Sequence, residues 1–251
     1  MLSDHVLAHF AATGWAFVPG FFTAEAVANM SAWIDDLLAR PELPGQHWVY
    51  RQPSLLDPMH KVVQRIENFC PHHADFDALV RRSDLTRTIS EILDGPAVLF
   101  KEKINFKEPG GAGFELHQDQ QAGWSRYAPL FVTAMVCIDP ATIENGCLEV
   151  ADGRSRIRQL ISEEWRPINE QEAAAVSLRA VPTQPGDVIL FDSYLPHGSQ
   201  DNLTSERRRM LFLTYNSAEY GDVRDQYHRD KRANFPPDIE RQAGAEYKFR
   251  V

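Results

Sequence analysis

The fold turns on residues 97–107, AVLFKEKINFK, where the period of the chain changes. In an extended segment alternate side chains share a face, which groups Phe100, Ile104 and Phe106 on one side. Lys101, Lys103, Asn105 and Lys107 fall on the other. Strand character continues at 130–139 (LFVTAMVCID), 147–151 (CLEVA), 187–191 (DVILF) and 209–216 (RMLFLTYN). Asn145-Gly146 and Pro185-Gly186 supply turns ahead of two of these. Upstream the period is helical. Thr23 is placed as an N-cap, and Val27, Met30, Trp33, Ile34, Leu37 and Leu38 recur until Pro41 stops the run. A second helix has Ser83 or Asp84 as cap, Leu85, Ile89, Ile92 and Leu93 inside, and Gly95 after its end. Residues 41–62, rich in Pro, His and Gln, read as an ordered loop. Helices followed by many short strands give an α+β fold with a mainly β core, an antiparallel sandwich or barrel, over one domain spanning 1–251.

At 251 residues, 43% of them hydrophobic and 24% charged, the chain has the make-up of a soluble globular protein, which excludes a disordered scaffold. Lys+Arg 26 against Asp+Glu 35 gives a net charge of −9, which argues against nucleic acid or an anionic membrane as partner. A local basic pocket survives that balance. Cys70, Cys137 and Cys147 are sparse, odd in number and without a CxxC pair, so neither a thiolate zinc site nor a disulfide framework fits. The N-terminal MLSDHVLAHFAATGWAF lacks the basic and apolar regions of a signal peptide. No apolar run approaches the ~18 residues of a membrane span. A cytoplasmic monomer or homodimer acting on a small molecule is expected.

The chemistry concentrates in FELHQDQQAGW, residues 114–124. His117 and Asp119 stand two apart, so both side chains leave an extended backbone on one side and can grip one ion. His197, in PGDVILFDSYLPHGSQDN, is the candidate third ligand. Two imidazoles and a carboxylate on one face of Fe(II) leave positions open for a bidentate 2-oxo acid and dioxygen. Arg208 heads a strand that can run back beside such a site, and its fork suits the far end of a dicarboxylate, with the Ser199 hydroxyl as a second contact. The competing reading makes Arg207, Arg208 and Arg209 a solvated charge run.

These pieces resemble the phytanoyl-CoA dioxygenase family of Fe(II)/2-oxoglutarate oxygenases. KINFKEPGG ahead of LHQDQ, then VTAMVCIDPATIENGCLEVADG, then PGDVILFDSYLPHGSQDN and RRRMLFLTYN run in family order. The resemblance implies a double-stranded β-helix (jelly roll) with N-terminal helices packed outside. It implies Fe(II) as cofactor, held by His117, Asp119 and His197, and 2-oxoglutarate as cosubstrate, held by Arg208 and Ser199 with Lys103 and Met135 lining it. One departure is Gly153-Arg154-Ser155, where relatives often read Gly-Ser/Thr-His. A halogenase would need Ala or Gly at Asp119.

The implied activity is hydroxylation of a C–H bond. Lys101, Asn105, Gln118, Gln120, Arg126 and Asn216 are the candidate substrate contacts, suiting a small polar, anionic or zwitterionic substrate. The tail, with its GD-R-x-x-Y-x-x-DKR-x-x-FPPD pattern, resembles the 2-aminoethylphosphonate dioxygenase branch, and it either caps the barrel mouth or wraps its outside. The alternatives are a hydroxylase of an acyl-CoA or natural-product intermediate, and a non-catalytic jelly-roll module that binds metal or a 2-oxo acid.

Overall fold

The structure is a computed structural model that describes residues 2–153 and 155–247. Arg154, where the sequence leaves the family pattern, lies outside the described residues. The strands in chain order are β1 (Trp15–Val18), β2 (Trp48–Pro53), β3 (Lys61–Glu67), β4 (Ala97–Lys107), β5 (Phe114–His117), β6 (Val132–Cys137), β7 (Leu148–Ala151), β8 (Leu178–Val181), β9 (Val188–Asp192), β10 (His197–Ser199) and β11 (Arg208–Ser217). The helices are α1 (Asp4–Thr13), α2 (Ala24–Ala39), α3 (Ala74–Arg81), α4 (Asp84–Ile92), α5 (Glu170–Ala173) and α6 (Arg224–Asn234).

Seven strands form one sheet in the order β1-β9-β6-β11-β4-β3-β2, and four form a second in the order β5-β10-β7-β8. Every ladder in both sheets is antiparallel. This is the double-stranded β-helix that the resemblance implies. One apolar cluster fills the space between the sheets, with Met135, Ile189, Phe191 and Phe212 meeting Leu148, Val150 and Val181. A larger one joins the outer face of the seven-stranded sheet to the helices through Ile34, Leu37, Phe76, Leu85, Ile89, Ile104, Leu211 and Leu213. Thr23 caps α2 by accepting from the Ala26 N–H at 3.2 Å. Its helix ends at Ala39, ahead of Pro41.

The first half carries more strand than its helical period suggests. The 41–62 segment, read as a loop, contains β2 and leads directly into β3, and the two extend the large sheet beyond β4. Their buried residues include Arg65 and Glu67, so an apolar template does not find them. Phe100 is the second correction. Thr214 pairs with Lys101 and Tyr215 with Leu99, which leaves Phe100 bulged out of register. The bulge moves Leu99 onto the face of Ile104 and turns Phe100 toward Trp124, Phe131 and Tyr227.

Glu102, on the outer face of β4, is a buried partner for an arginine. Arg224 at the start of α6 donates to its carboxylate at 3.1 and 2.5 Å, and Cys70 N–H at 3.1 Å. With Lys231 on Glu67 at 2.6 Å, this pair fastens α6 across the end of the barrel. Removing one member of a buried pair strands the other charge, which costs about 3–5 kcal/mol. Arg224→Met is therefore expected to lower the urea midpoint sharply, whereas Arg87→Met, whose partner Asp84 is exposed, stays within about 0.5 kcal/mol of wild type. Equal midpoints for the two variants contradict this account of how α6 is held.

Candidate active site

β5 and β10 lie side by side, and their register sets His117 directly opposite His197. The two rings sit 4.4 Å apart between centroids. Each turns its Nδ1 to a backbone carbonyl two residues upstream: His117 to Glu115 O at 2.6 Å, His197 to Leu195 O at 2.9 Å. A proton on Nδ1 makes those contacts, so Nε2 keeps its lone pair for the interior. Asp119 opens a 3-10 turn just after β5, which brings its Oδ1 to 3.7 Å from His117 Nε2. The ligand atoms of His117, Asp119 and His197 all lie within 4.8 Å of one another.

The donor set fits a first-row dication. His117 Nε2 and Asp119 Oδ1 are buried without a hydrogen-bond partner, a costly state for polar atoms unless they bind something. Burial, helped by the neighbouring His117, pulls His197 down to about 4, so it is neutral at physiological pH. Burial works to raise the Asp119 carboxyl, yet contact with His117 and the nearness of His197, Lys103 and Lys101 hold it well below the usual carboxylate range. A neutral imidazole at His197 and an ionised carboxylate at Asp119 are states a metal needs.

Two polar regions flank these ligands. The first is a cavity lined by His117 and His197 that continues past Lys103, Asn105, Phe212 and Ser199 to Arg208. Arg208 is buried with its Nε unpartnered, and burial pulls the guanidinium down to about 10. Met135 packs beside this cavity, across from Phe212. Arg209 takes the opposite face of β11, where it meets Asp139 at 2.8 Å and Asp35 at 3.1 Å, and Arg207 reaches Asp35. The three arginines are not one charge run.

The second region lies beyond Asp119, under α6. Lys103 pairs across the sheet with Glu67, and Asn105 with Arg65. Lys101 lies against the rings of Trp124 and Tyr227, with Nζ at 4.7 and 5.6 Å from their centroids. Lys101 Nζ, Asn105 Oδ1, Trp124 Nε1, Tyr227 Oη and Gln120 Oε1 are buried without partners. Burial lowers both lysines, and the charges of Lys103 and Lys231 press Lys101 further. On the outer side of the same two rings, Tyr127, Asp230, Phe235 and Tyr247 help line a cleft of about 540 Å³.

Of the residues singled out for substrate, Lys101 lies in this region with Nζ unpartnered, Asn105 lines the first cavity, and Gln120 keeps an unpartnered Oε1 while its amide nitrogen donates to Ser125 Oγ and Ala128 O. The other three hold different positions. Gln118 donates to Gln159 O at 2.9 Å and Tyr194 O at 2.6 Å and accepts from Ile161 N–H at 2.7 Å. Arg126 is half-exposed near Asp230. Asn216 donates to Ser217 O and Gly221 O at the far end of β11. Arg65, Glu67, Tyr227 and Lys231 were not found from sequence, although Tyr227 and Lys231 stand in the quoted tail pattern, four residues apart on one helix face.

A family description, phytanoyl-CoA dioxygenase (PhyH), matches residues 10–210. The 2-aminoethylphosphonate dioxygenase of uncultured bacterium HF130_AEPn_1 is 38% identical over 234 residues, covering 93% of this chain and 89% of that one. The methylphosphonate hydroxylase of Gimesia maris is 33% identical over 237 residues, covering 93% and 88%. Among solved structures, EctD from S. alaskensis with 2-oxoglutarate and 5-hydroxyectoine superposes with a TM-score of 0.71 at 24% identity, over 87% of this chain and 77% of that one.

The geometry generates a metal-binding test. His117→Ala, Asp119→Ala and His197→Ala are each expected to lower bound iron at least tenfold after anaerobic loading, since each removes one of the three candidate ligands gathered here. Wild-type iron content in the Asp119 variant contradicts the ligand set.

Proposed function

The chain belongs to the phytanoyl-CoA dioxygenase family and is an Fe(II)- and 2-oxoglutarate-dependent dioxygenase, and within that class we propose that it hydroxylates a small organophosphonate, 2-aminoethylphosphonate or a close relative. The carrying observation is a surplus of buried cations beside the ligand set. Arg65, Lys101, Lys103 and Lys231 are all buried; Arg65 and Lys231 both meet Glu67, whereas Lys101 Nζ has no hydrogen-bond partner among the described residues. A phosphonate brings a negative charge to Lys101, and its oxygens accept from Lys101 Nζ and Tyr227 Oη, which have no partner. The names of the two similar enzymes support the same substrate class.

In this reading His117, Asp119 and His197 hold Fe(II), and Arg208 and Ser199 hold the distal carboxylate of 2-oxoglutarate, with Lys103 lining the cavity and Met135 paired with Phe212 at its side. Iron with 2-oxoglutarate supplies an oxidant for an unactivated C–H bond, with succinate and CO2 released. The chain's own part is placement. Nδ1 contacts to Glu115 O and Leu195 O fix both imidazoles. Arg208 sets the depth at which the cosubstrate sits, and Lys101 anchors the substrate's anionic end so that its carbon chain faces the metal. Trp124, Phe131, Phe100 and Tyr227 form an aromatic wall that keeps water from the reacting carbon.

Two outcomes are expected. Arg208→Ala removes a charged fork worth about 2–5 kcal/mol on truncation, so the 2-oxoglutarate requirement rises roughly 30-fold or more while the substrate requirement changes little. The exposed Arg207→Ala leaves both as they were. In a panel of 2-aminoethylphosphonate, methylphosphonate, longer alkylphosphonates, amino acids and acyl-CoA thioesters, oxygen-dependent succinate release is expected with phosphonates, and Lys101→Met is expected to lower their kcat/KM at least tenfold. Turnover confined to acyl-CoA thioesters overturns the phosphonate reading.

A further inference from the structure

Lys107 ends β4 directly across from Arg208 and is completely buried. Its ammonium touches only neutral oxygens: Ser199 Oγ at 2.8 Å, Gly146 O at 3.2 Å, and Gln200 O. The approach depends on Gly146, whose φ is +74° and whose added Cβ would collide with Gln200 O and crowd Lys107 Nζ at 2.7 Å. Ser199 in turn lines the cavity that holds Arg208.

We infer that Lys107 is a positioning residue for the cosubstrate, one that sets the direction of the Ser199 hydroxyl and thereby couples 2-oxoglutarate binding to uptake of a proton. The inference rests on the reading of Arg208 and Ser199 as the carboxylate's holders. A charged lysine has three donors and no acceptor, so Ser199 Oγ accepts from Nζ and its own proton points into the cavity, where a carboxylate accepts it. A neutral Lys107 keeps two protons for Gly146 O and Gln200 O and offers one lone pair. The Ser199 proton then turns back to Nζ, and only oxygen lone pairs face the carboxylate.

Burial and the facing Arg208 pull the ammonium down to about 6, against Asp201, Cys147 and Glu149, which act to raise it. A carboxylate that accepts from the Ser199 hydroxyl favours the state in which Nζ donates to Ser199 Oγ, and so raises it again. The complex therefore holds more protons than the free protein above about pH 6, and affinity falls by up to roughly tenfold per pH unit until the pKa of the complex is reached.

The experiment is anaerobic calorimetry of 2-oxoglutarate binding to the Fe(II)-loaded protein, in buffers of different ionisation enthalpy at several pH values above about 6. Wild type is expected to take up close to one proton. Lys107→Met is expected to take up none, to bind roughly tenfold more weakly near pH 6, and to show a flat pH dependence. Ser199→Ala leaves the buried lysine in place, keeps the test open if the Lys107 variant misfolds, and is expected to lose most of the slope. Absence of proton uptake in wild type, or an unchanged slope in either variant, overturns the inference. Arg208→Gln reports separately: unchanged affinity there overturns the carboxylate reading itself.

Discussion

Three lysines buried on one face of one strand are the constraint around which this molecule is arranged. Lys101, Lys103 and Lys107 are 2%, 6% and 0% exposed. Each buried ammonium carries a penalty of several kcal/mol that only close partners offset. The chain supplies a different partner to each. Lys107 gets three neutral oxygens, held in place by the glycine turn at 146. Lys103 gets the nearby charges of Asp119 and Glu67 and the Phe212 ring, 4.9 Å from Nζ to centroid. Lys101 gets only the faces of Trp124 and Tyr227. Extending the sheet with β3 and β2, and laying α6 over that extension, is what provides Glu67 and Tyr227.

The unequal partners sort the two ends of β4. At the Lys107 end every ammonium proton has an acceptor, and what remains open is the Arg208 fork and one hydroxyl. That is a planar, directional site suited to a carboxylate. At the Lys101 end Nζ has no hydrogen-bond acceptor among the described residues, and Trp124 Nε1 and Tyr227 Oη, on the two rings it lies against, are unpartnered as well. Donors spread in space suit a tetrahedral oxyanion better than a flat one. On the proposed reading a single strand thus serves both cosubstrate and substrate, with the metal ligands of β5 and β10 placed between them.

Much of this was legible in the sequence, and what was not has physical causes. The period of two in AVLFKEKINFK gave β4 to the residue, and the ligand spacing named the three side chains that the fold brings within 4.8 Å. The Phe100 bulge was invisible because a one-residue insertion leaves composition unchanged and only shifts register. Arg65 and Glu67 were missed because a strand that buries charge looks like an exposed strand or a loop. α6 escaped for the same reason. Its buried residues are Arg224, Tyr227, His228 and Lys231, which follow helical spacing with almost no apolar member.

The glutamines after the ligand motif show why proximity in sequence is a poor guide to contact. An amide carries both donors and an acceptor, and all must be satisfied once it is buried. A phosphonate group offers acceptors alone, so a buried Gln facing that group leaves its own carbonyl oxygen to be paired elsewhere. Backbone offers both kinds. Gln118 accordingly bonds to Gln159 O, Tyr194 O and Ile161 N–H, and Gln121 accepts from the Gln118 N–H and donates to Glu164 O. These contacts hold residues 159–168 beside the ligand set, where the Trp165 ring lies 6.2 Å from that of His117. Gln118 and Gln121 thus shape the wall of the site, Gln120 keeps an unpartnered Oε1, and on the proposed reading the work of meeting an anion falls to lysine, arginine and hydroxyl groups carried by β4, β11 and α6.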